Sequence, residues 1–133
     1  LDDLGWKELW APWLYGVLLV HRKKLKPSTI KAVQKQIKKK EPICIFPEGT
    51  SVGSKLKPPK NGAAYFSLRN NIPIIPVALS GTDQISKKLK NLQRPAVSVE
   101  FGKAIYPNET KKIGALTKKT MQALKKMLPS KYH

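Results

Sequence analysis

The sequence contains only one cysteine, Cys44, among its 133 residues, which excludes an internal disulfide and any metal site built on two or more cysteines. It also contains no run of about 18 or more apolar residues, so no segment of this chain is long enough to span a bilayer as a helix. The longest apolar candidate, residues 9–20, reaches about half of the required length. Because Cys44 lies inside the apolar run 43–46, we expect it to be a buried structural thiol.

Acidic residues are scarce: the sequence contains eight acidic and 26 basic residues, which gives a formal net charge of +18. A field of that sign attracts polyanions such as nucleic acid, anionic lipid headgroups or phosphorylated substrates. Only Arg22, Arg69 and Arg94 are arginines, whereas proteins that read base edges favour arginine. Aromatic residues are not interleaved with the lysines as base stacking would require. We therefore expect no specific nucleic-acid partner, and a lysine-rich proteome explains the charge as well as an anionic partner does.

The length suits one domain with one hydrophobic core, and we predict a single domain over residues 1–133. In its first half, Ser28 is a candidate N-cap for an amphipathic helix in which Ile30, Val33 and Ile37 recur at helical spacing. Residues 42–47 are predicted to form a short buried strand. Residues 61–71 are predicted to form a short helix that begins near Gly62.

Two more strands and one helix are predicted in the second half. Residues 72–80 form a strand with two prolines, which suits a sheet edge or a strand that enters a functional turn. Residues 96–102 alternate as a strand does, and the tail places Ile113, Leu116, Leu124 and Met127 on one face of an amphipathic helix. This order of elements predicts an α/β fold in which helices flank a partly parallel mixed sheet.

The stretch FPEGT, residues 46–50, places an acid directly after the predicted strand 42–47. Open α/β folds bind ligands at the carboxyl ends of their strands, and the N–H groups at a helix start attract anions. We predict an anion site in which Glu48 accepts a substrate hydroxyl or orients a basic partner. The other groups of the predicted site are Gly49, Thr50, Lys55, Lys57, Lys60 and the helix start at Gly62. The alternative is a plain turn capped by a carboxylate.

FPEGT followed by KNGAAYFSLRNNIPIIPVALSG resembles the third and fourth sequence blocks of the glycerophospholipid acyltransferase family, which includes the 1-acylglycerol-3-phosphate acyltransferases. The resemblance is clearest over residues 15–105. GVLLVHR is similar to the second block and puts Arg22 at the arginine position of the family. Two positions depart from the pattern, because His21 stands where members often carry an acid and Ser51 stands where many carry arginine.

The catalytic block of this family is a His-x-x-x-x-Asp pair, in which the histidine takes the proton of the acceptor hydroxyl and the aspartate orients it. This chain contains no such spacing. LDD at residues 1–3 resembles the end of the block, which would make Asp2 the aspartate and the chain N-terminally incomplete. Only 20 positions separate Asp2 from Arg22, about half of what the family has, so either a segment is lost or the LDD match is accidental. We expect this chain alone to be inactive.

The resemblance implies an acyltransferase-like fold and an enzyme of phospholipid biosynthesis. Such an enzyme moves an acyl group from acyl-CoA or acyl carrier protein to the free hydroxyl of a lysophospholipid such as 1-acylglycerol-3-phosphate. It implies catalytic roles for Asp2 and Glu48, and an acyl-donor side shaped by Pro73 and Pro76. It implies acceptor binding by Arg22, Glu48, Gly49, Thr50, Lys55, Lys60 and Gly62. It implies no metal and no cofactor beyond the acyl donor.

The tryptophan-rich stretch 5–16 predicts peripheral attachment to an anionic membrane, on its cytoplasmic face, since Trp and Tyr favour the headgroup zone and lysines favour anionic lipid. Core packing of Trp6, Trp10 and Trp13 is the alternative for that stretch. For the chain as a whole, the rival hypothesis is a non-catalytic lipid- or polyanion-binding module that keeps the phosphate site.

Overall fold

The chain divides into two compact units, Leu1–Cys44 and Ile45–His133. The computed structural model describes residues 27–49 and 55–133 of the chain. Asp2, Arg22 and Thr50, the tryptophan-rich stretch 5–16 and the GVLLVHR segment at residues 16–22 lie outside the described residues. The single domain over residues 1–133 stays a prediction.

In the first unit, helix α1 spans Pro27–Lys38. Its buried residues, Thr29 and Val33, are four positions apart and share one face, which confirms the amphipathic helix. An N-cap at Ser28 would make Thr29 the first helical residue, but the helix begins two residues earlier, at Pro27. Ser28 therefore lies in the first turn, and the N-cap prediction was wrong. Proline suits the first helical position, because its missing N–H would have no partner there and its φ is already helical.

The segment 42–46 forms no strand, which corrects the strand predicted over residues 42–47. Pro42 and Pro47 bracket only four residues and cannot donate a ladder hydrogen bond at either end. Phe46 is 69% exposed and Cys44 is exposed as well, so the expectation of a buried thiol was also wrong. The turn that carries Glu48 is therefore positioned by contacts other than a strand ladder.

The core of the second unit lies between α2, Gly62–Asn70, and α4, Ile113–Met127. Ala64, Ile105 and Leu116 are buried at its centre, with Leu68, Ile74 and Ala123 packed around them. Leu116 has no exposed surface, and burial of one such side chain contributes about 1.5–3 kcal/mol. Both helices were predicted, with Gly62 as the first residue of α2, although Ile113 is 37% exposed instead of buried. Helix α2 ends at Asn70, because the next residue, Asn71, has a left-handed φ of 52°.

The sheet of the described residues has two antiparallel strands, β1 at Val77–Ser80 and β2 at Ser98–Phe101. Ala78 is buried on one face, whereas Val77 and Phe101, which pair with each other, are exposed. Both strands fall inside predicted ones. The larger, partly parallel sheet stays a prediction.

Short elements complete the second unit, and one of them is a helix that the sequence did not predict, α3 at Ile85–Lys90. Six residues are too few for helical periodicity to show in the sequence. Single turns lie at Thr82–Gln84, Pro107–Glu109 and Ser130–Tyr132. Within residues 27–49 and 55–133, no helix combines the length and apolar character that crossing a membrane requires.

Candidate functional site

Glu48 lies in a tight turn that runs from Phe46 to Gly49. The Gly49 N–H donates to the Phe46 carbonyl at 3.1 Å, which closes the turn, and Pro47 takes the second position that proline favours. Gly49 has a φ of +65°, a conformation that other residues adopt only with strain. Proline and glycine on either side of Glu48 thus fix the backbone that carries the acid.

The Glu48 carboxylate binds a main-chain amide from farther along the chain. Its Oε2 accepts the Lys57 N–H at 2.8 Å in a partly buried position. A carboxylate that accepts a backbone N–H forms a stronger hydrogen bond than a neutral pair does. The acid therefore holds the segment that carries Lys57 close to the turn.

Lys60 provides the second tie to the same turn. Its N–H donates to the Pro47 carbonyl at 2.7 Å, and its side chain crosses Gly49 so closely that a Cβ there would lie 3.0 Å from the Lys60 Nζ. A lysine ammonium is thus held beside the backbone next to Glu48. Any larger residue at position 49 would have to displace this side chain.

The N-terminus of α2 lies two residues beyond Lys60. The side chain of Asn61, the N-cap residue, makes no capping hydrogen bond, because its Oδ1 accepts the Thr117 hydroxyl of α4 at 3.0 Å. The first N–H groups of α2, beginning at Gly62, therefore lack a side-chain cap and are suited to an anion. The contact with Thr117 also fixes the start of α2 relative to α4.

The Glu48 turn, α2 and α4 pack closely against one another. A cleft lined by Pro47, Lys60, Ala63, Thr117 and Met121, among others, has a volume of about 10 Å³. That is room for about one water molecule. The turn, the lysine segment and the two helices thus form one packed body.

The structure brings together Glu48, Gly49, the Lys57 amide, Lys60 and the start of α2 at Gly62, and the anion site itself stays a prediction. Lys55 is exposed two positions before Lys57. Pro73 and Pro76 lie elsewhere, on the segment that leads into β1, where Pro73 is exposed and the Pro76 carbonyl accepts the Gly102 N–H at 2.8 Å. No contact in the described part of the chain joins them to the Glu48 turn.

Sequence reasoning missed a second acid-containing cluster, formed by Asp83 and Tyr132. The Tyr132 hydroxyl donates to Asp83 Oδ1 at 2.6 Å and accepts the Gly81 N–H at 2.8 Å. Lys131 Nζ lies 3.8 Å from Asp83 Oδ2. No sequence signal points to this cluster, because 49 positions separate Asp83 from Tyr132.

The charged forms of Asp83 and Lys131 stabilise each other. The hydrogen bond from Tyr132, together with the nearby Lys131, holds the pKa of Asp83 below its ordinary value. Contact with Tyr132 and the charge of Asp83 raise the pKa of Lys131. Both groups are therefore charged at neutral pH.

Metal-binding groups are not clustered in residues 27–49 and 55–133, where no three His, Cys, Asp or Glu side chains lie together as a metal ion would need. The independence from metal and cofactor stays a prediction.

Comparison with known proteins decides the family. A family model described as acyltransferase matches residues 6–80, which include the Glu48 turn, α2 and β1. The chain belongs to this acyltransferase family. The resemblance to glycerophospholipid acyltransferases is thereby confirmed, and no solved structure matches the chain.

Several relatives of this acyltransferase chain carry the name 1-acyl-sn-glycerol-3-phosphate acyltransferase. The chain is 40% identical to the one from Salmonella typhimurium and 38% identical to the one from Escherichia coli, in each case over 70% of this chain and 42% of the relative. It is 36% identical to the one from Cocos nucifera, over 70% of this chain and 34% of the relative. The chain thus spans less than half the length of these relatives.

Proposed function

We propose that this acyltransferase chain belongs to an enzyme that acylates the free hydroxyl of 1-acylglycerol-3-phosphate. The relatives that carry this name support the proposal, and the observation that carries it is the Glu48 turn. Within the segment that the family model matches, one carboxylate is held beside Lys57, Lys60 and the uncapped start of α2. This combination suits an acceptor that has both a phosphate and hydroxyl groups.

In the proposed mechanism, the lysine ammonium groups and the first N–H groups of α2 hold the acceptor phosphate, because both attract anions. The Lys57 N–H donates to the Oε2 atom of Glu48. The other carboxylate oxygen, Oε1, makes no hydrogen bond within the described residues. We assign to Oε1 the role of accepting a hydroxyl of the glycerol backbone. The acceptor is thus oriented before the reaction, which lowers the entropy cost of the chemical step.

In the transfer step, the acceptor hydroxyl oxygen attacks the thioester carbonyl of acyl-CoA or acyl carrier protein, and the thiol departs. A general base must remove the hydroxyl proton during the attack. We assign that task to the family's histidine–aspartate pair, with Asp2 as the aspartate and Arg22 as a further phosphate ligand. Pro73 and Pro76 are proposed to shape the acyl-donor side.

We also propose that the protein attaches peripherally to the cytoplasmic face of a membrane, on the grounds of its +18 formal charge. Each lysine near an anionic surface contributes about 1 kcal/mol, and salt screens this attraction beyond about 8 Å at physiological ionic strength. Anionic vesicles should sediment the full-length protein at low salt and release it at high salt. Equal binding to zwitterionic vesicles at every salt concentration would contradict the electrostatic account.

The transfer itself is tested by mixing the full-length protein with 1-acylglycerol-3-phosphate and either acyl-CoA or acyl carrier protein. Formation of the diacyl product together with free thiol is expected. Omission of the acceptor is the control, because thiol release without acceptor reports only thioester hydrolysis. Binding of 1-acylglycerol-3-phosphate without transfer from either donor would refute the proposal and favour a non-catalytic lipid-binding module.

A further inference from the structure

Tyr132 is bound at both its backbone and its side chain, although it lies next to the last residue of the sequence. Only 6% of its surface is exposed, and the turn Ser130–Tyr132 is closed by a hydrogen bond from its N–H to the Pro129 carbonyl at 3.0 Å. The Tyr132 carbonyl accepts the Leu56 N–H at 2.9 Å. Its hydroxyl accepts from Gly81 and donates to Asp83.

These contacts join a segment that the family model matches to the residues that directly follow the match. Leu56 directly precedes Lys57, whose N–H holds the Glu48 carboxylate. Gly81 directly follows β1, which ends at Ser80. One tyrosine therefore connects the segment that holds Glu48 to the end of the sheet.

The hydroxyl contacts determine where the Tyr132 carbonyl lies. A charged acceptor, Asp83, and a backbone donor, Gly81, tie down the ring of Tyr132. Without them, the turn that holds this carbonyl would lose its ties to Gly81 and to the Asp83 Oδ1, and would keep ring packing, the Lys131–Asp83 ion pair and the contacts of His133 with the end of α4. The adjacent Lys57 amide would then be held less firmly against Glu48.

We propose that Tyr132 is a positioning residue for the acceptor site, acting through Leu56 and Lys57 on Glu48. The catalytic consequence rests on the function proposed above. The positioning itself is a property of the fold and is measured without turnover.

The experiment compares Tyr132→Phe with Tyr65→Phe in the full-length protein. Tyr65 is a matched control, because its hydroxyl also takes part in a hydrogen bond, which it accepts from the exposed Arg69 at 2.6 Å. Amide hydrogen exchange at Leu56 and Lys57 should become roughly tenfold faster in Tyr132→Phe and stay within about twofold of wild type in Tyr65→Phe. In the transfer assay, Tyr132→Phe should raise KM for 1-acylglycerol-3-phosphate several-fold and keep kcat within about twofold.

A merely structural role predicts a different pattern, since loss of folded enzyme lowers kcat and leaves KM unchanged. That pattern, or unchanged exchange at Leu56 and Lys57, would overturn the proposal. If Tyr132→Phe does not fold, Asp83→Asn removes only the charged acceptor and should shift exchange and KM in the same direction by less. A wild-type protein that transfers no acyl group would refute the proposed function, and the exchange comparison would still decide the positioning role.

Discussion

Two turns of the second unit each combine an acid with a glycine of positive φ, and they use the acid differently. In the first turn, Glu48 directly precedes Gly49, whose φ is +65°. In the second, Gly81 has a φ of +85° and Asp83 follows two residues later. Both turns follow apolar segments, although the sequence pattern indicated a site only at the first.

The partners of the two carboxylates separate their roles. Both oxygens of Asp83 face side chains at the C-terminus, the Tyr132 hydroxyl and the Lys131 ammonium, so its charge is balanced within the fold. Glu48 instead binds an uncharged backbone amide and makes no ion pair within residues 27–49 and 55–133. Within the described residues, Asp83 is thus held by side chains and Glu48 by a backbone amide.

The largest expected difference between the two turns is the loss of stability when each glycine is replaced by alanine. An alanine Cβ at position 81 would lie 2.2 Å from the Ala96 carbonyl oxygen, which belongs to the backbone and cannot rotate away. At position 49 the nearest atoms to the Cβ, among the described residues, belong to the flexible end of Lys60. Gly81→Ala should therefore lower the free energy of unfolding by about 3 kcal/mol or more, and Gly49→Ala by about 1–2 kcal/mol from the φ strain alone.

Urea unfolding of the full-length variants at 25 °C measures both costs. The two glycines share the strain of positive φ, so each variant serves as the control for the other. Equal losses of stability in the two variants would show that backbone movement relieves the contact between position 81 and Ala96. The turn at Gly81 would then be no more rigid than the turn at Gly49.

The second expected difference concerns Glu48 itself. Glu48→Gln keeps a carbonyl oxygen that can still accept the Lys57 N–H, but it removes the charge and weakens the contact with the acceptor hydroxyl. Acyl transfer should fall roughly tenfold or more, with a melting temperature within a few degrees of wild type. Glu100→Gln is the matched control, because Glu100 is exposed on β2.

Steady-state kinetics and thermal unfolding of both variants test this role. Full activity of Glu48→Gln would refute a part for the carboxylate in acceptor binding or catalysis. A large loss of stability with proportional loss of activity would instead assign Glu48 to holding the Lys57 segment alone.

Local pattern was enough to predict α2, α4 and the positions of β1 and β2, because apolar spacing and turn residues act within a few positions of each other. The grouping of Glu48, Gly49, Lys60 and Gly62 was also predictable, since these residues are close in sequence. The predicted strand at 42–47 failed because apolar composition does not reveal whether a segment has a ladder partner. Tyr132 escaped prediction for a related reason, as its partners at Leu56 and Asp83 are distant in sequence and follow no periodic pattern.

The smallest expected effect is the pH dependence of the Asp83 cluster. The pKa of Asp83 is lowered in the folded state, chiefly by the Tyr132 hydrogen bond and further by Lys131, so the acid stabilises the fold when it is ionised. This contribution is fully present above the unfolded pKa of about 3.9 and is lost as the pH falls through the lower folded pKa.

The Asp83→Asn variant tests this pH dependence, because the asparagine side chain keeps an oxygen that can accept from Tyr132 but cannot ionise. The stability difference between wild type and Asp83→Asn should therefore be constant from pH 7 to about pH 5 and shrink below about pH 4. Urea unfolding over this pH range measures the difference, and repeating it in a Tyr132→Phe background should reduce the shrinkage, because the main cause of the lowered pKa is then absent. A difference that widens as the pH falls would contradict the assigned direction. An equal shrinkage in both backgrounds would show that the Tyr132 hydrogen bond is not the main cause of the lowered pKa.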